Sequence, residues 1–183
     1  IFIRNTDITG MKSGALAKFR REELGFIFQE FNLLDTLTAY ENIILPLSIS
    51  GVSHAQSDIK VKDVAAKLDI GEVLNKYPYE MSGGQRQRVA AARAMVSDPA
   101  LVLADEPTGA LDSKSARMLL ETMGKLNTEL GATILMVTHD AFSASYCRRI
   151  LFIKDGKIFN ELLRGDDSRR DFFGKIMDVV SLL

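Results

Sequence analysis

The sequence predicts an α/β fold with a mostly parallel sheet, and three observations carry that expectation. Short apolar runs at Leu24–Phe28, Leu101–Ala104 and Ala132–Val137 alternate with longer segments of helical character, the pattern that produces parallel strands joined by helices. The runs are largely apolar, Leu101–Ala104 fully so, as buried strands of parallel sheets are. Each is followed by a residue able to do chemistry (Gln29, the pair Asp105-Glu106, His139), at the strand end where open α/β sheets bind their ligands.

The elements follow in order. Ile1–Ile8 carries strand-like residues and is broken by Thr9-Gly10; because it reads as the middle of something, more chain is expected upstream. Ser13 to Glu23 predicts a short helix whose charged face is solvated. After the strand Leu24–Phe28 comes a loop in which Phe31, Leu33 and Leu34 are too apolar for mere surface. Thr38 and Glu41 have the spacing of a capping box that opens a helix, which Pro46 should bend or end. Residues 53–70 predict a second helix with Ile59, Val61, Val64, Ala65 and Leu68 on its apolar face. Arg86–Val96 is a third, Ala-rich helix, with Val89, Ala92 and Val96 on one stripe and Arg86 and Arg93 on another; Asp98-Pro99 stops it.

The strand Leu101–Ala104 follows, then a helix over Ser113–Leu130 ended by Gly131, and the buried strand Ala132–Val137. Asp155-Gly156 is a hairpin turn between Ile150–Ile153 and Lys157–Phe159. Ser168 begins a last amphipathic helix with Phe172, Phe173, Ile176 and Val180 on one side. With no repeat or low-complexity linker, a single domain over 1–183 is expected.

Composition narrows the function. A net charge of −1 argues against a nucleic-acid partner, whose binders carry a basic excess. The apolar runs are too short to cross a bilayer. The lone Cys147 can form no internal disulfide, which suits a reducing compartment, and it reads as a small buried residue.

Four features bear on chemistry. A parallel strand ending in Asp105-Glu106 concentrates charge at a ligand-binding edge, and two adjacent acids repel unless a cation or polarised water lies between them. A solvated turn is the bland alternative. Ser82 and Gln85 have capping-box spacing, and the glycines between them, Gly83 and Gly84, leave N–H groups open at a helix start, which suits a phosphate. His139 after the third strand is by itself more often structural than catalytic. Gln29 could meet a metal or a water, or only satisfy a loop.

Taken in order, Gln29, Ser82-Gly83-Gly84-Gln85, Asp105-Glu106-Pro107-Thr108, Ala110-Leu111-Asp112 and His139 resemble the ATPase domain of ABC transporters: its Q-loop, signature motif, Walker B strand with catalytic glutamate, D-loop and switch histidine. The resemblance covers essentially the whole chain. It implies a P-loop NTPase-like fold with a helical subdomain over about 37–97. It also implies ATP and Mg²⁺ as cofactors, a membrane permease and a second ATPase subunit in a head-to-tail dimer as partners, and a place on the cytoplasmic side of the membrane. Asp105 and Gln29 would serve the metal, Glu106 would act as general base, and His139 would contact the γ-phosphate. Ser82, Gly83, Gly84 and Gln85 would grip ATP on the opposite subunit, and Asp112 would reach across the same interface.

The sequence departs from that family in one place. The motif G-x-x-x-x-G-K-[S/T] does not occur; in Gly10-Met11-Lys12-Ser13, Met11 stands where glycine must precede lysine. The N-terminal strands and phosphate loop are therefore expected upstream, and these 183 residues by themselves are expected to bind ATP poorly. Met81 replaces the family's usual leucine at similar volume. Phe26–Asn32 resembles the branch of lipoprotein-release, macrolide-efflux and FtsE-like ATPases, and the stretch from Tyr146 to Leu183 resembles bacitracin-type resistance transporters. Two alternatives remain: a chromosome-maintenance ATPase, disfavoured because no heptads lie between Gln29 and Ser82, and a non-catalytic fragment that only docks a permease.

Overall fold

The computed structural model describes residues 1–28, 31–109 and 111–182. They form two compact units, Ile1–Met136 and Val137–Leu183.

The first unit opens with a small antiparallel hairpin, β1 (Phe2–Ile3) and β2 (Thr6–Asp7). It turns on Arg4 and Asn5, both left-handed at φ 44° and 63°, the backbone that a two-residue hairpin turn requires. The predicted single strand over Ile1–Ile8 is thus folded back on itself. Next come α1 (Ser13–Glu23), which buries none of its residues, and β3 (Leu24–Phe28). β3 pairs in parallel with β4 (Leu101–Asp105), Leu24 opposite Leu101 through Phe28 opposite Asp105. With β5 (Ile134–Val137) these make a three-stranded sheet in the order β3-β4-β5. Ala132 and Thr133 fall outside β5, and Leu135 and Val137 are 55% and 59% exposed. The expectation of a buried strand fails there: one face of β5 packs on the core through Ile134 and Met136, and the other is exposed.

Helices α2 (Ala39–Ile49), α3 (His54–Lys67) and α4 (Gly83–Met95) all fall within residues 37–97. Thr38 caps α2 with the predicted box: its hydroxyl accepts from Glu41 N–H, and the Glu41 carboxylate accepts from Thr38 N–H. Pro46 neither ends the helix nor stands at its edge; α2 runs through it to Ile49. Burial of Ala39, Asn42, Ile43 and Leu47 along one face outweighs one missing N–H. On α3, Val61, Val64 and Ala65 are buried as predicted, with Leu68 just beyond, but Ile59 is 69% exposed. The burial stripe passes through Ser57 instead.

The core of this unit gathers Ile27, Val102 and Ala104 from the sheet, Ile43 and Leu47 from α2, Val61 and Val64 from α3 and Val89, Ala91 and Ala92 from α4. Leu119, Met123 and Leu126 join it from α5 (Ser113–Leu130). Gly131, left-handed at φ 66°, ends α5 as the sequence predicts. Packing of β3 on α4 is close enough that a Cβ on Gly25 would run into the Ala94 carbonyl oxygen.

The second unit contains a short helix α6 (Ala141–Ala144), the hairpin β6 (Arg149–Lys154) and β7 (Lys157–Leu163), and α7 (Arg169–Val180). Asp155 and Gly156 turn the hairpin with φ of 50° and 73°. Ser168 caps α7, and Phe172, Ile176 and Val179 join Phe152 in a small core. Phe172 and Ile176 are buried as predicted, whereas Phe173 and Val180 are only partly covered and Val179 is buried instead.

Candidate functional site

The acidic pair is delivered by β4. Its inward residues Val102 and Ala104 are buried, and Asp105 at the strand's last position is exposed. Parallel pairing sets the end of β3 beside it, Phe28 opposite Asp105; Gln29, the next residue along, lies outside the described residues. Glu106 leaves the strand with φ 42°. A left-handed glutamate is uncommon, and before proline it departs from the extended backbone favoured there. The turn is held by Gly109 N–H donating to the Glu106 carbonyl at 3.0 Å and Leu111 N–H donating to the Thr108 carbonyl at 3.1 Å, over a buried Pro107 and Thr108. Strain of this kind is kept where surrounding structure fixes it, and it concentrates at working sites.

Ser82 starts α4 in the predicted manner. Its hydroxyl accepts from Gln85 N–H at 3.2 Å, and Gln85 Oε1 accepts from Ser82 N–H at 2.9 Å. The box satisfies the backbone amides of Ser82 and Gln85, and the first turn has two glycines between them. They differ. A Cβ on Gly84 would press on Met118 Cε at 3.0 Å, whereas one on Gly83 would meet nothing within 4 Å. Met81, just before the cap, is core and 4% exposed, as an apolar stand-in for leucine should be.

Asp112 caps α5, accepting from Ser115 Oγ at 2.6 Å and from the N–H groups of Lys114 and Ser115 at 2.9 and 3.0 Å. The Ser115 hydroxyl, then the Ser115 amide, hold its carboxyl below the usual carboxylate range. Ala110 lies outside the described residues. His139, two residues beyond β5, belongs to the Val137–Leu183 unit and is exposed. Its neighbour Asp140 caps α6, accepting from Ser143 Oγ at 2.6 Å and from Ser143 N–H at 2.9 Å. Burial would raise the Asp140 carboxyl, but the Ser143 bonds outweigh it and hold it low. The structure thus sets the end of β3 beside Asp105 and Glu106, places Ser82–Gln85 at the head of a helix packed on the same sheet, and carries His139 in the other unit.

Two further residues matter to these parts: Asn42, which the sequence does not single out, and Arg93, expected only as part of a stripe on α4. Asn42, fully buried, accepts from Leu34 N–H at 2.8 Å and donates to the carbonyls of Leu34, Leu37 and Thr38. Arg93 donates to the Asn32 and Phe31 carbonyls at 2.5 and 2.8 Å. Both pin the loop that follows β3. Phe31 and Leu33 are half-buried, Leu33 against the core, and Leu34 is 47% exposed.

The described residues hold a parallel sheet with carboxylates at a strand tip and a helix whose first turn bears two glycines, the kinds of position where α/β proteins bind phosphorylated ligands. Comparison with known proteins makes that class specific. Residues 1–109 match the sequence profile of the ABC transporter family. The chain is 55% identical to the bacitracin export ATP-binding protein BceA of Halalkalibacterium halodurans, over all of this chain and 72% of that protein. It is 45% identical to the macrolide export ATP-binding/permease protein MacB of Campylobacter jejuni, over 85% of this chain and 24% of that one. Its fold matches the dimeric, post-hydrolysis ATP-binding cassette MJ0796 bound to ADP and Pi, with TM-score 0.71 and 38% identity over 88% of this chain and 72% of that one. The chain belongs to the ABC transporter family. It is an ATP-binding subunit, a transport-coupled ATPase with the predicted α/β cassette fold.

Proposed function

We propose that this chain powers export of an antimicrobial peptide of the bacitracin type through a separate membrane permease, as one half of a head-to-tail dimer on the cytoplasmic face. Similarity to a bacitracin export subunit along the whole chain supports the substrate class, and the dimeric form of the related cassette supports the assembly. Among the described residues no helix is long and apolar enough to cross a membrane. Phe31, Leu33 and Leu34 are the candidate contacts for the permease, and Leu34 is the most exposed of the three.

The site residues act as follows. Among the described residues no three His, Cys, Asp or Glu side chains converge on a metal position, but Asp105 offers an exposed carboxylate at the strand tip. That fits Mg²⁺, which is commonly held by one or two carboxylates together with phosphate oxygens and water. When bound, Mg²⁺ neutralises charge on the β- and γ-phosphates. Asp105 and Gln29 would hold it. Glu106 accepts a proton from the attacking water, and His139 orients the γ-phosphate. Ser82, Gly83, Gly84 and Gln85 close on ATP from the opposite subunit while Asp112 meets the same interface with its cap intact. Residues 1–183 act as one cassette whose helical subdomain spans about 37–97.

The observation that carries this reading is Glu106, held in a left-handed turn at the tip of a parallel strand. In the complete protein Glu106→Gln should lower ATP turnover by about 10³-fold and trap an ATP-bound dimer on size-exclusion chromatography. Cells carrying the variant should lose bacitracin tolerance. Undiminished hydrolysis would reject Glu106 as the base.

A further inference from the structure

The loop after β3 is tied to the signature helix by two arginines of α4. Phe31 and Asn32 are consecutive left-handed residues, φ 61° and 46°. Two such residues in a row are costly outside glycine. Their conformation brings both carbonyls to one guanidinium, that of Arg93, at 2.8 and 2.5 Å. Burial opposes the Arg93 charge and lowers its pKa, and the two carbonyls offset that desolvation. Arg86, two turns earlier on the same face, lies 6.0 Å from the Phe31 ring centroid and donates to the carbonyls of Met81 and Pro78 at 3.0 and 3.4 Å. Those carbonyls belong to the segment leading into Ser82. Asn42 pins the same loop from the far side at Leu34 and Leu37. The part of the loop from Phe31 to Leu37 therefore cannot shift without moving α4 or breaking these hydrogen bonds.

We infer that Arg93 is a positioning residue for ATP hydrolysis: its grip on the Phe31 and Asn32 carbonyls fixes the segment following Gln29 to the helix that begins at Ser82. This rests on the roles given above to Glu106 and Ser82. Arg93 lies eleven residues beyond Ser82, roughly 16 Å along the helix axis, so it acts through placement and not by touching nucleotide. Loss of placement lowers kcat and leaves the KM for ATP nearly alone. Lysine is not an adequate replacement, since a point-charge ammonium lacks the planar fork that spans two carbonyls.

The test uses the complete protein with its permease. Arg93→Ala and Arg93→Lys should each lower kcat about tenfold, with KM within about twofold of the wild type. Val89→Ala, a cavity in the same helix at a fully buried position, should lower Tm at least as much as Arg93→Lys and keep kcat. The lysine variant keeps the question answerable should the alanine variant fail to fold. Wild-type kcat in Arg93→Lys, or an equal kcat loss in Val89→Ala, would overturn the inference. Glu106→Gln is run alongside: normal turnover there overturns the site and the inference with it. An inactive Glu106→Gln beside normal arginine variants overturns the arginine tie alone.

Discussion

The two ends of α4 are built for different purposes. Its C-terminal half is packed on every side, with Ala90, Ala91, Ala92, Ala94 and Met95 buried and the β3 backbone at Gly25 lying against the Ala94 carbonyl. Small residues there answer to the fold of this chain. At the N-terminal end Ser82 is exposed, and Gly83 faces open space where the chain itself would tolerate a side chain. Packing within the chain therefore does not account for Gly83, whereas the proposed contact with the opposite subunit's ATP would. One helix thus carries glycine-dependent packing at one end and a site at the other, and substitutions should separate the two.

The largest effect on stability is expected at the packed end. Gly25→Ala forces a Cβ into the backbone of Ala94, which cannot rotate away as a side chain would. The strand or the helix must move, at a cost of about 3 kcal/mol. Urea denaturation should show a lowered midpoint with an unchanged slope. A wild-type midpoint would mean that β3 and α4 are less tightly apposed than the structure shows.

That close approach is not visible in the sequence, where Gly25 is one residue in an apolar strand. Legibility followed how local each signal is. The boxes at Thr38/Glu41 and Ser82/Gln85, the Asp155-Gly156 turn and the Gly131 stop are set by a few neighbouring residues, and each is where the sequence places it. Helix faces were harder to read. Periodicity shows that α3 and α7 are amphipathic but does not fix every edge of the buried face: Val61, Val64, Phe172 and Ile176 are buried as expected, whereas Ile59 and Val180 are exposed and Ser57 and Val179 are buried. The exposed face of β5 depends on what packs over it, a tertiary fact. The helix runs through Pro46 because burial along its face outweighs one lost hydrogen bond, a balance that local sequence does not reveal. At the site, residue order revealed Asp105 and Glu106, yet nothing in the sequence announces the left-handed backbone at Glu106. Sequence periodicity puts Arg93 on one stripe with Arg86, and only the structure shows the Phe31 and Asn32 carbonyls facing it.

An intermediate effect is expected at Ser82. Ser82→Ala removes the acceptor for Gln85 N–H and should cost about 1 kcal/mol, the usual worth of an N-cap. Because the same hydroxyl is assigned to the nucleotide of the opposite subunit, ATPase activity should fall further than that stability loss explains. Gly, which restores most capping stability at an N-cap, provides the control. Ser82→Gly should recover the melting temperature and leave turnover low, whereas recovery of both would reduce Ser82 to a cap.

Gly83→Ala should have the smallest effect on the fold and is the sharpest test of the contrast along α4. Gly83 is the first residue of the helix and has no left-handed φ, and the added methyl would contact nothing in this chain. Stability should change by less than about 0.5 kcal/mol, with any gain coming from the better helix propensity of alanine. If the open space is where the opposite subunit's phosphates approach the backbone, that methyl obstructs the approach, and turnover should fall although the monomer melts as before. Calorimetric melting of the monomer and ATPase assays of the dimer decide it. An unchanged melt with lost turnover places the demand for glycine outside the chain, and a lowered melt would place it within.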